Sequence, residues 1–352
     1  MIIKNKKIGI GEKTYFIADI AANHDGDLGK AIELIKLCAE SGADAAKFQH
    51  FKAETIVSDY GFKNLGTQKS HQKTWSKSVF EVYKDASVNL EWTEKLKEQC
   101  DTSGIAFFTS PYDHQIIDNI DKYIPAYKIG SGDITYLEII KKIASKNKPY
   151  ILATGASTIK DVERAVEAGL SINKDLLIMQ CNTNYTASED NFKYINLKVL
   201  ENYKKKFPGI LLGLSDHTPG HSTVLGAVAL GACAIEKHFT DNNARNGPDH
   251  LFSMNPQSWR EMVKKTRELE LSLGREEKKI ERNELETVIL QRRAIRAAKN
   301  LEAGETINEK NIIPLRPCPD NGILPYEKEK ILNKKIKKNI SKGDIIKWDD
   351  II

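Results

Sequence analysis

The sequence predicts a (β/α)8 barrel followed by a small, mostly β domain, and three observations support this fold class. Apolar, strand-like runs alternate with helical patterns through the first 274 residues, and such alternation implies a parallel sheet. Eight strand-like runs over that length match the size of a (β/α)8 barrel. After residue 290 the chain changes to short alternating segments separated by Gly and Asn, which are typical of a separate β domain.

The eight predicted strands begin at Tyr15 and end at His238. They cover residues 15–22, 45–51, 107–110, 126–130, 150–154, 176–182, 210–215 and 232–238. Helical patterns lie between most of them, at residues 28–40, 90–103, 137–145, 159–168 and 222–230. An open, doubly wound sheet would show the same alternation, but no GxGxxG follows the first strand, which disfavours a dinucleotide-binding version.

Three segments follow from these patterns: a barrel over residues 1–274, an exposed charged linker over 275–290, and a β domain over 291–352. The last barrel helix begins at Asn255-Pro256, a favourable cap and first-turn pair, and ends before Gly274. The small β domain would be marginal alone and is expected to lean on another unit, such as a partner subunit's barrel. A polar stretch after the second strand, residues 52–89, is expected to be an active-site loop or a lid.

Composition excludes several classes of protein. The net charge is only +5, and the chain shows no zinc finger, basic helix or aromatic RNA signature, so no nucleic-acid partner is expected. No apolar run reaches membrane length and the N-terminal residues lack the apolar stretch of a signal peptide, so we expect a cytoplasmic protein with no membrane partner. The five cysteines are far apart and never form CxxC, which indicates reduced thiols.

Two histidines stand out because each closes a short apolar run. Ser215 and His217 are two residues apart, as are Glu236 and His238, so each pair faces one side of a strand end. Two imidazoles brought together in this way suit a divalent metal of borderline hardness, and the carboxylate of Asp249 follows. The alternative is a pair of hydrogen-bonded histidines in an ordinary core.

Polar residues also collect at the ends of the other predicted strands. They are Asp19, Lys47, Gln49, Thr109, Lys128, Ser131, Asp133, Thr183 and Tyr185. In a barrel the C-terminal strand ends share one mouth, where the chemistry takes place. Two lysines among several hydroxyls favour phosphate binding, because they combine positive charge with many donors. Any one of these residues alone is a weak signal.

The motifs together resemble those of the sialic acid synthase family over nearly the whole chain. The segments that carry the resemblance are IADIAANHDGDL, GADAAKFQHF, FFTSPYD, IPAYKIGSGD, GLSDHT, EKHFTD and NGPDH. The tail AGETINEKNIIPLRP resembles that family's C-terminal antifreeze-like domain, also called the SAF domain.

The resemblance implies an enzyme that condenses phosphoenolpyruvate with an N-acetylmannosamine-type sugar and uses a divalent metal. Mn is the first candidate for this metal, and Mg and Co are the alternatives. By the resemblance, His217 and His238 are the metal ligands and join Asp19 and Asp133 as catalytic residues. The matches to phosphoenolpyruvate-binding positions are Lys47, Thr109, Lys128, Ser131, Thr183, Ser215 and Arg316. The matches to sugar-binding positions are Gln49, Asp133, Tyr185 and Asp249. Arg316 would act in trans within a domain-swapped homodimer.

The chain departs from the family at three positions: Asp19 replaces a longer glutamate, Thr183 stands where Asn or Ser is common, and Ala153 replaces a frequent Ser. The first product expected is N-acetylneuraminate. The alternative is legionaminate or pseudaminate, made from a 2,4-diacetamido-trideoxy sugar. Two other classes remain open: a metal-dependent aldolase or isomerase that needs no phosphoenolpyruvate, and a non-catalytic carbohydrate-binding protein.

Overall fold

The computed structural model describes residues 1–65, 72 and 75–352. These residues divide into two compact units, Met1–Gly274 and Arg275–Ile352. Part of the stretch expected to be a loop or lid, residues 66–71, 73 and 74, lies outside the described residues. Among the residues that are described, no helix combines the length and the apolar character needed to cross a membrane.

The first unit is a nearly closed barrel of eight parallel strands. After a short hairpin of β1 (Ile2–Ile3) and β2 (Lys6–Lys7), the barrel strands are β3 (Tyr15–Asp19), β4 (Ala45–His50), β5 (Ala106–Pro111), β6 (Tyr127–Ile129), β7 (Tyr150–Ala153), β8 (Leu176–Cys181), β9 (Leu211–Asp216) and β10 (Ala232–His238). They are paired in the order β5-β4-β3-β10-β9-β8-β7-β6, and β5 lies next to β6 across the remaining gap. The (β/α)8 prediction is therefore confirmed.

Helices follow the barrel strands along the chain. They are α1 (Leu28–Glu40), α2 (Ala53–Ile56), α3 (Asp59–Asn64), α4 (Val79–Ala86), α5 (Thr93–Thr102), α6 (His114–Ile120), α7 (Leu137–Ala144), α8 (Ile159–Leu170), α9 (Val199–Lys206), α10 (Ser222–Ala229) and α11 (Pro256–Leu273). The predicted start of α11 is confirmed, because the Asn255 side chain accepts hydrogen bonds from the amides of Gln257 and Ser258. In its described part, the polar stretch after β4 forms α2, α3 and α4.

Strand residues alternate between two apolar cores, and this alternation aims the polar residues. Tyr15 and Ile17 pack inside the barrel, whereas Phe16 and Ala18 pack under the helices. The same alternation turns Asp19, at the C-terminal end of β3, toward the barrel interior. The interior is therefore apolar at one end and polar at the other, and the polar end is where the strands terminate.

The second unit contains an antiparallel pair, β11 (Ala294–Ala297) and β12 (Ile312–Leu315). Its core is built almost entirely from isoleucine, with Ile295, Ile307 and Ile323 fully buried. A short helix, α12 (Leu285–Gln291), occupies part of the segment that the sequence predicts to be a linker. Arg316 follows β12 and is exposed.

Candidate active site

A cavity of about 470 Å³ lies within the first unit at the C-terminal ends of the barrel strands. This volume falls in the range of small-molecule sites. Side chains from β3, β4, β6, β8, β9 and β10 line it, together with residues of the loops that follow them. The position agrees with the general placement of active sites in barrels of this kind.

The floor of the cavity is a buried network of two ammonium groups and two carboxylates. Lys47 Nζ lies 2.7 Å from Asp19 Oδ2 and 3.2 Å from Glu236 Oε2. Lys128 Nζ lies 3.0 Å from Glu236 Oε1, which also accepts a hydrogen bond from Ser215 Oγ at 3.0 Å. All five side chains are buried. Glu236 thus holds both lysines in place at the bottom of the site.

The two carboxylates of this network differ in charge preference. Burial would raise the pKa of Glu236, but Lys128 and Lys47 outweigh it and hold this pKa well below its usual range. Asp19 has one lysine partner and a neighbouring carboxylate, and burial raises its pKa despite Lys47. Burial lowers the pKa of Lys128. At Lys47, the charges of Asp19 and Glu236 outweigh burial and raise the pKa of the lysine. Glu236 is therefore the fixed anion, and Asp19 is the carboxyl closer to accepting a proton.

Beside Lys128, small polar groups form a pocket around Gly155. The Gly155 amide donates to Ser131 Oγ at 2.9 Å. A Cβ at Gly155 would lie 1.9 Å from Thr183 Oγ1 and 3.1 Å from Cys181 Sγ, so only glycine leaves room for these side chains. Hydroxyls close to a buried ammonium group are suited to binding an anion.

The two histidines predicted to bind metal face each other above the floor. The ring centroids of His217 and His238 are 5.3 Å apart, and Tyr185 and Phe252 pack against both rings. His217 Nδ1 lies 3.0 Å from the carbonyl oxygen of Asn182. A ring nitrogen that donates to a carbonyl leaves the other nitrogen with its lone pair for a ligand.

This arrangement fits a divalent metal. Burial, His217 and Lys47 lower the pKa of His238 well below its usual range, so the ring is in the neutral form that coordinates metals. His238 Nδ1 is buried and has no hydrogen-bond partner among the residues described. Within those residues no cluster of three or more His, Cys, Asp or Glu forms a complete ligand set. Water or substrate oxygen would have to complete the coordination of a metal held by His217 and His238.

The residues expected near the sugar line the same cavity as the histidines. Asp249 Oδ2 accepts from the Ala22 amide at 3.1 Å and lies 3.9 Å from His238 Nδ1, and burial raises its pKa to about 6. Gln49 Nε2 donates to Asp19 Oδ2 at 3.2 Å. Asp133 lines the cavity, and burial raises its pKa to about 6 as well.

The cavity brings together most of the residues predicted from the sequence. Its lining includes Asp19, Lys47, Gln49, Lys128, Ser131, Asp133, Thr183, Tyr185, Ser215, His217, His238 and Asp249. Arg316 belongs to the second unit, on the exposed end of β12.

Thr109 is the predicted residue that the structure does not bring to the cavity. It is paired in register with Phe48, and both side chains face the helices. The Thr109 hydroxyl lies 2.6 Å from His50 Nδ1 and donates to the Phe48 carbonyl. The next residue, Ser110, is in register with Gln49 and so faces inward, and its buried hydroxyl has no partner among the described residues. Neither Thr109 nor Ser110 is among the residues that line the cavity, and the phosphoenolpyruvate role of Thr109 stays a prediction.

Two further residues of the site were not predicted. Glu236 was noted only for its spacing from His238, although that spacing already placed both on the inner face. Cys181 also lines the cavity and shares a hydrogen bond with His217. Burial would raise the pKa of the Cys181 thiol, but this bond and the charges nearby outweigh it and lower the pKa. Strand parity could have found both.

Comparison with known proteins identifies the family. The NeuB family model matches residues 34–278, and the SAF domain model matches residues 292–352. The chain belongs to the NeuB family. The resemblance seen in the motifs, including the C-terminal SAF domain, is thereby confirmed.

Named relatives of this NeuB-family chain align over nearly its full length. It is 36% identical to the N,N'-diacetyllegionaminic acid synthase of Legionella pneumophila, over 98% of this chain and 97% of that protein. It is 32% identical to a pseudaminic acid synthase of Campylobacter jejuni, over 96% of this chain and 97% of that one. The crystal structure of the N-acetylneuraminic acid synthetase from Leptospira borgpetersenii superposes with a TM-score of 0.71 at 26% identity, covering 82% of this chain and 94% of that one. These names support the synthase class, and N-acetylneuraminate as the product stays a prediction.

Proposed function

We propose that this NeuB-family chain condenses phosphoenolpyruvate with the open-chain form of an N-acetylated amino sugar, producing a nonulosonic acid and phosphate. The observation that carries the proposal is the pairing of two sites in one cavity. Two buried lysines with hydroxyls beside them form an anion site, and two imidazoles with carboxylates beyond them form an electrophile site. The first acceptor expected from the resemblance is N-acetylmannosamine, giving N-acetylneuraminate; the alternative gives legionaminate or pseudaminate.

The lysines would bind the donor as fixed cations. Each lies within 3.2 Å of a carboxylate and is buried, and neither sits in the apolar pocket that produces a nucleophilic amine. Ser131 and Thr183, which line the cavity, would donate to the phosphate or carboxylate oxygens. This set orients the C3 carbon of phosphoenolpyruvate toward the histidines.

The acceptor aldehyde would lie at His217 and His238. A divalent metal held there, with Mn as the first candidate and Mg or Co as alternatives, would supply Lewis acidity at the aldehyde oxygen. Asp249, Gln49 and Tyr185 would orient the sugar so that its C1 faces the donor.

Bond formation between C3 of the donor and C1 of the sugar leaves positive charge at C2. Water then adds at C2, and the C2–oxygen bond to phosphate breaks to give the keto acid. Asp19 and Asp133 are the candidates to take the proton from this water, because burial raises the pKa of both carboxyls. Their carboxylates would also stabilise the charge at C2.

The test is phosphate release from purified protein with phosphoenolpyruvate, a candidate sugar and Mn²⁺. Release should need all three. His217→Ala should abolish it and should lower the stoichiometry of Mn²⁺ bound in equilibrium dialysis. His114→Ala is the matched control, because His114 is exposed and outside the cavity lining, and it should behave as wild type.

Other results would support the rival classes. Turnover of sugar without phosphoenolpyruvate would indicate an aldolase or isomerase. Sugar binding with no phosphate release for any N-acetylated hexosamine would indicate a carbohydrate-binding protein. The buried anion site favours the synthase, since neither rival needs two lysines held in this way.

A further inference from the structure

Behind the two histidines lies a buried ion pair that the proposed chemistry does not use. Lys237 on β10 forms it with Asp216 on β9, and both side chains are at most 1% exposed. The two residues are in register, and strand alternation turns them away from the cavity, on the opposite face from His217 and His238. A pair of apolar residues would often hold a fold equally well, so stability alone is a weak explanation for a pair buried here.

The ion pair holds the backbone on both sides of His217. Lys237 Nζ donates to the Thr218 carbonyl oxygen at 2.6 Å and also to the Asp216 carboxylate. That carboxylate accepts from the Thr218 hydroxyl at 2.8 Å and from the Thr218 amide at 3.3 Å. It also accepts from the hydroxyl of Thr223, on α10, at 2.8 Å. Asp216, Thr218, Thr223 and Lys237 form what we call the β9–β10 clamp.

His217 depends on the β9–β10 clamp more than His238 does. The strand β10 includes His238, whereas β9 ends at Asp216, so His217 lies one residue beyond its strand. The contact of His217 Nδ1 with the Asn182 carbonyl oxygen acts on the ring rather than on the backbone. Two imidazoles hold one metal ion only if both nitrogens reach a bond length of about 2 Å at the same time. A small movement of the backbone at His217 would therefore weaken binding.

We infer that Asp216 and Lys237 are positioning residues that set the separation of His217 and His238, and thereby the affinity for a divalent metal. This inference rests on the proposed function, in which the two histidines hold that metal. Neither positioning residue lines the cavity. Loss of the clamp should therefore weaken metal binding and leave the lysine floor, where phosphoenolpyruvate would bind, in place.

The test separates positioning from stability by comparing a single with a double variant. Lys237→Met leaves the Asp216 carboxylate buried without its cation, so the urea midpoint of unfolding should fall. Adding Asp216→Asn removes the unpaired charge and keeps an acceptor for Thr218 and Thr223, so the midpoint should recover much of that loss. In both variants the dissociation constant for Mn²⁺, measured by equilibrium dialysis below the unfolding temperature, should rise by about 10- to 100-fold.

Arg267 and Glu270 supply a matched control at the other end of the barrel. Arg267 donates to the Thr14 carbonyl oxygen at 2.9 Å and pairs with Glu270, which accepts from the Thr14 amide at 2.7 Å. This ion pair also holds backbone, at the start of β3, where the strands are farthest from the cavity. Arg267→Met combined with Glu270→Gln should lower the urea midpoint and leave the Mn²⁺ dissociation constant unchanged.

Two further measurements follow the metal site itself. The visible absorption of bound Co²⁺ depends on the geometry of its ligands, so the bands should shift in the double clamp variant and not in the control. Phosphate release by the double clamp variant should recover toward the wild-type rate when Mn²⁺ is raised above the weakened dissociation constant. The KM for phosphoenolpyruvate should then be nearly that of wild type.

Wild-type Mn²⁺ affinity in the double clamp variant would overturn the inference and leave the proposed function standing. An equal loss of affinity in the clamp and control variants would do the same, because general destabilisation would then explain both. If the wild-type protein itself bound no Mn²⁺, the two histidines would not be the metal site, and the inference would fail together with that part of the proposed function.

Discussion

At the scale of single residues, the site depends on Glu236. Among the described residues, its carboxylate is the one ion partner of Lys128 and one of two ion partners of Lys47. Glu236 thus fixes two ammonium groups at the floor while leaving their remaining donor positions for a substrate. Its position between two buried cations means that removing its charge affects stability as well as binding.

Glu236→Gln should lower the free energy of unfolding of the barrel by about 3–5 kcal/mol, because Lys128 becomes a buried charge without a partner. The measurement is urea unfolding followed by tryptophan fluorescence. Glu163→Gln removes an ion partner of Lys206 at the surface and should leave the midpoint unchanged. If both variants unfold at the wild-type midpoint, Glu236 does not stabilise the lysines.

Asp133 should produce a pH dependence near 6. Burial raises its pKa to about 6, so lowering the pH through 6 protonates it and removes the carboxylate. Asp249 titrates in the same range. The logarithm of kcat/KM should therefore rise with pH with a slope approaching two, and with a slope of one in Asp133→Asn. An unchanged slope in that variant would contradict a role for the Asp133 carboxylate.

Asp133→Asn should also change the stability of the fold, in the direction opposite to its effect on activity. A carboxyl whose pKa is higher in the folded state than in the unfolded state destabilises the fold once it is ionised, so its cost grows from about pH 4 to about pH 6 and is complete above that. Asp133→Asn should therefore raise the melting temperature at pH 8 and leave it unchanged below pH 4. Higher stability with lower activity would separate a functional carboxylate from a structural one.

At the scale of elements, short loops after the strands set the site's geometry. The turn after β7 approaches Thr183 and Ser131 through Gly155, and the loop after β10 carries Asp249 past His238. Substitutions in them should change one substrate's KM without changing the other's.

Gly155→Ala should raise the KM for phosphoenolpyruvate by about 10- to 100-fold, because the new Cβ displaces Thr183 and Ser131 from the anion pocket. Gly132→Ala is the matched control: Gly132 lines the same cavity, but its Cβ would meet nothing within 4 Å. Steady-state kinetics at saturating sugar measures both. An equal rise in the two variants would show that the effect is not the predicted clash.

His250 should position Asp249. It is fully buried, with Nε2 2.9 Å from Asp25 Oδ1 and Nδ1 2.7 Å from Thr240 Oγ1, and it ties the loop after β10 to the loop after β3. His250→Ala should raise the sugar KM about 10-fold with kcat and the KM for phosphoenolpyruvate nearly unchanged. Restoration of the sugar KM by His250→Gln, which keeps a donor and an acceptor, would separate positioning from loss of packing. If kcat fell and both KM values rose by similar factors, the positioning role of His250 would be contradicted.

At the scale of the whole molecule, the charges in the cavity indicate that binding of phosphoenolpyruvate requires a further cation. Both lysines are paired with carboxylates, and no arginine lines the cavity among the described residues. Phosphoenolpyruvate carries a carboxylate and a phosphate, so it would bring excess negative charge to this floor. This supports the proposal that Arg316 is supplied by a partner subunit in a domain-swapped homodimer.

Mixed dimers test that proposal. Arg316→Ala should weaken phosphoenolpyruvate use while leaving the thermal unfolding of the barrel unchanged, and Lys128→Ala should inactivate the barrel. Mixing the two inactive proteins under conditions of subunit exchange should restore activity, because one site of the mixed dimer then has both residues. No recovery, although mass spectrometry of the intact assembly shows mixed dimers, would contradict action in trans.

Much of this site could be predicted from sequence because the place of a residue along a barrel strand determines where its side chain lies in the barrel. Alternation within a strand decides which side chains face inward, so His217, Lys47 and Lys128 could be placed without knowing any contact. The motif FFTSPYD does not by itself say which of two adjacent hydroxyls faces inward. The register of β5 with β4 turns Ser110 inward and Thr109 toward the helices.

The sequence by itself determined the barrel with its SAF domain, the family, and the two histidines and two lysines at the strand ends, since periodicity and ordered motifs are properties of the chain alone. Only the tertiary structure decided that Glu236 joins the lysines and that Cys181 contacts His217. The physical reason is that charge pairing, burial and pKa depend on distances between residues far apart in the chain. Those distances exist only once the strands have closed into a barrel.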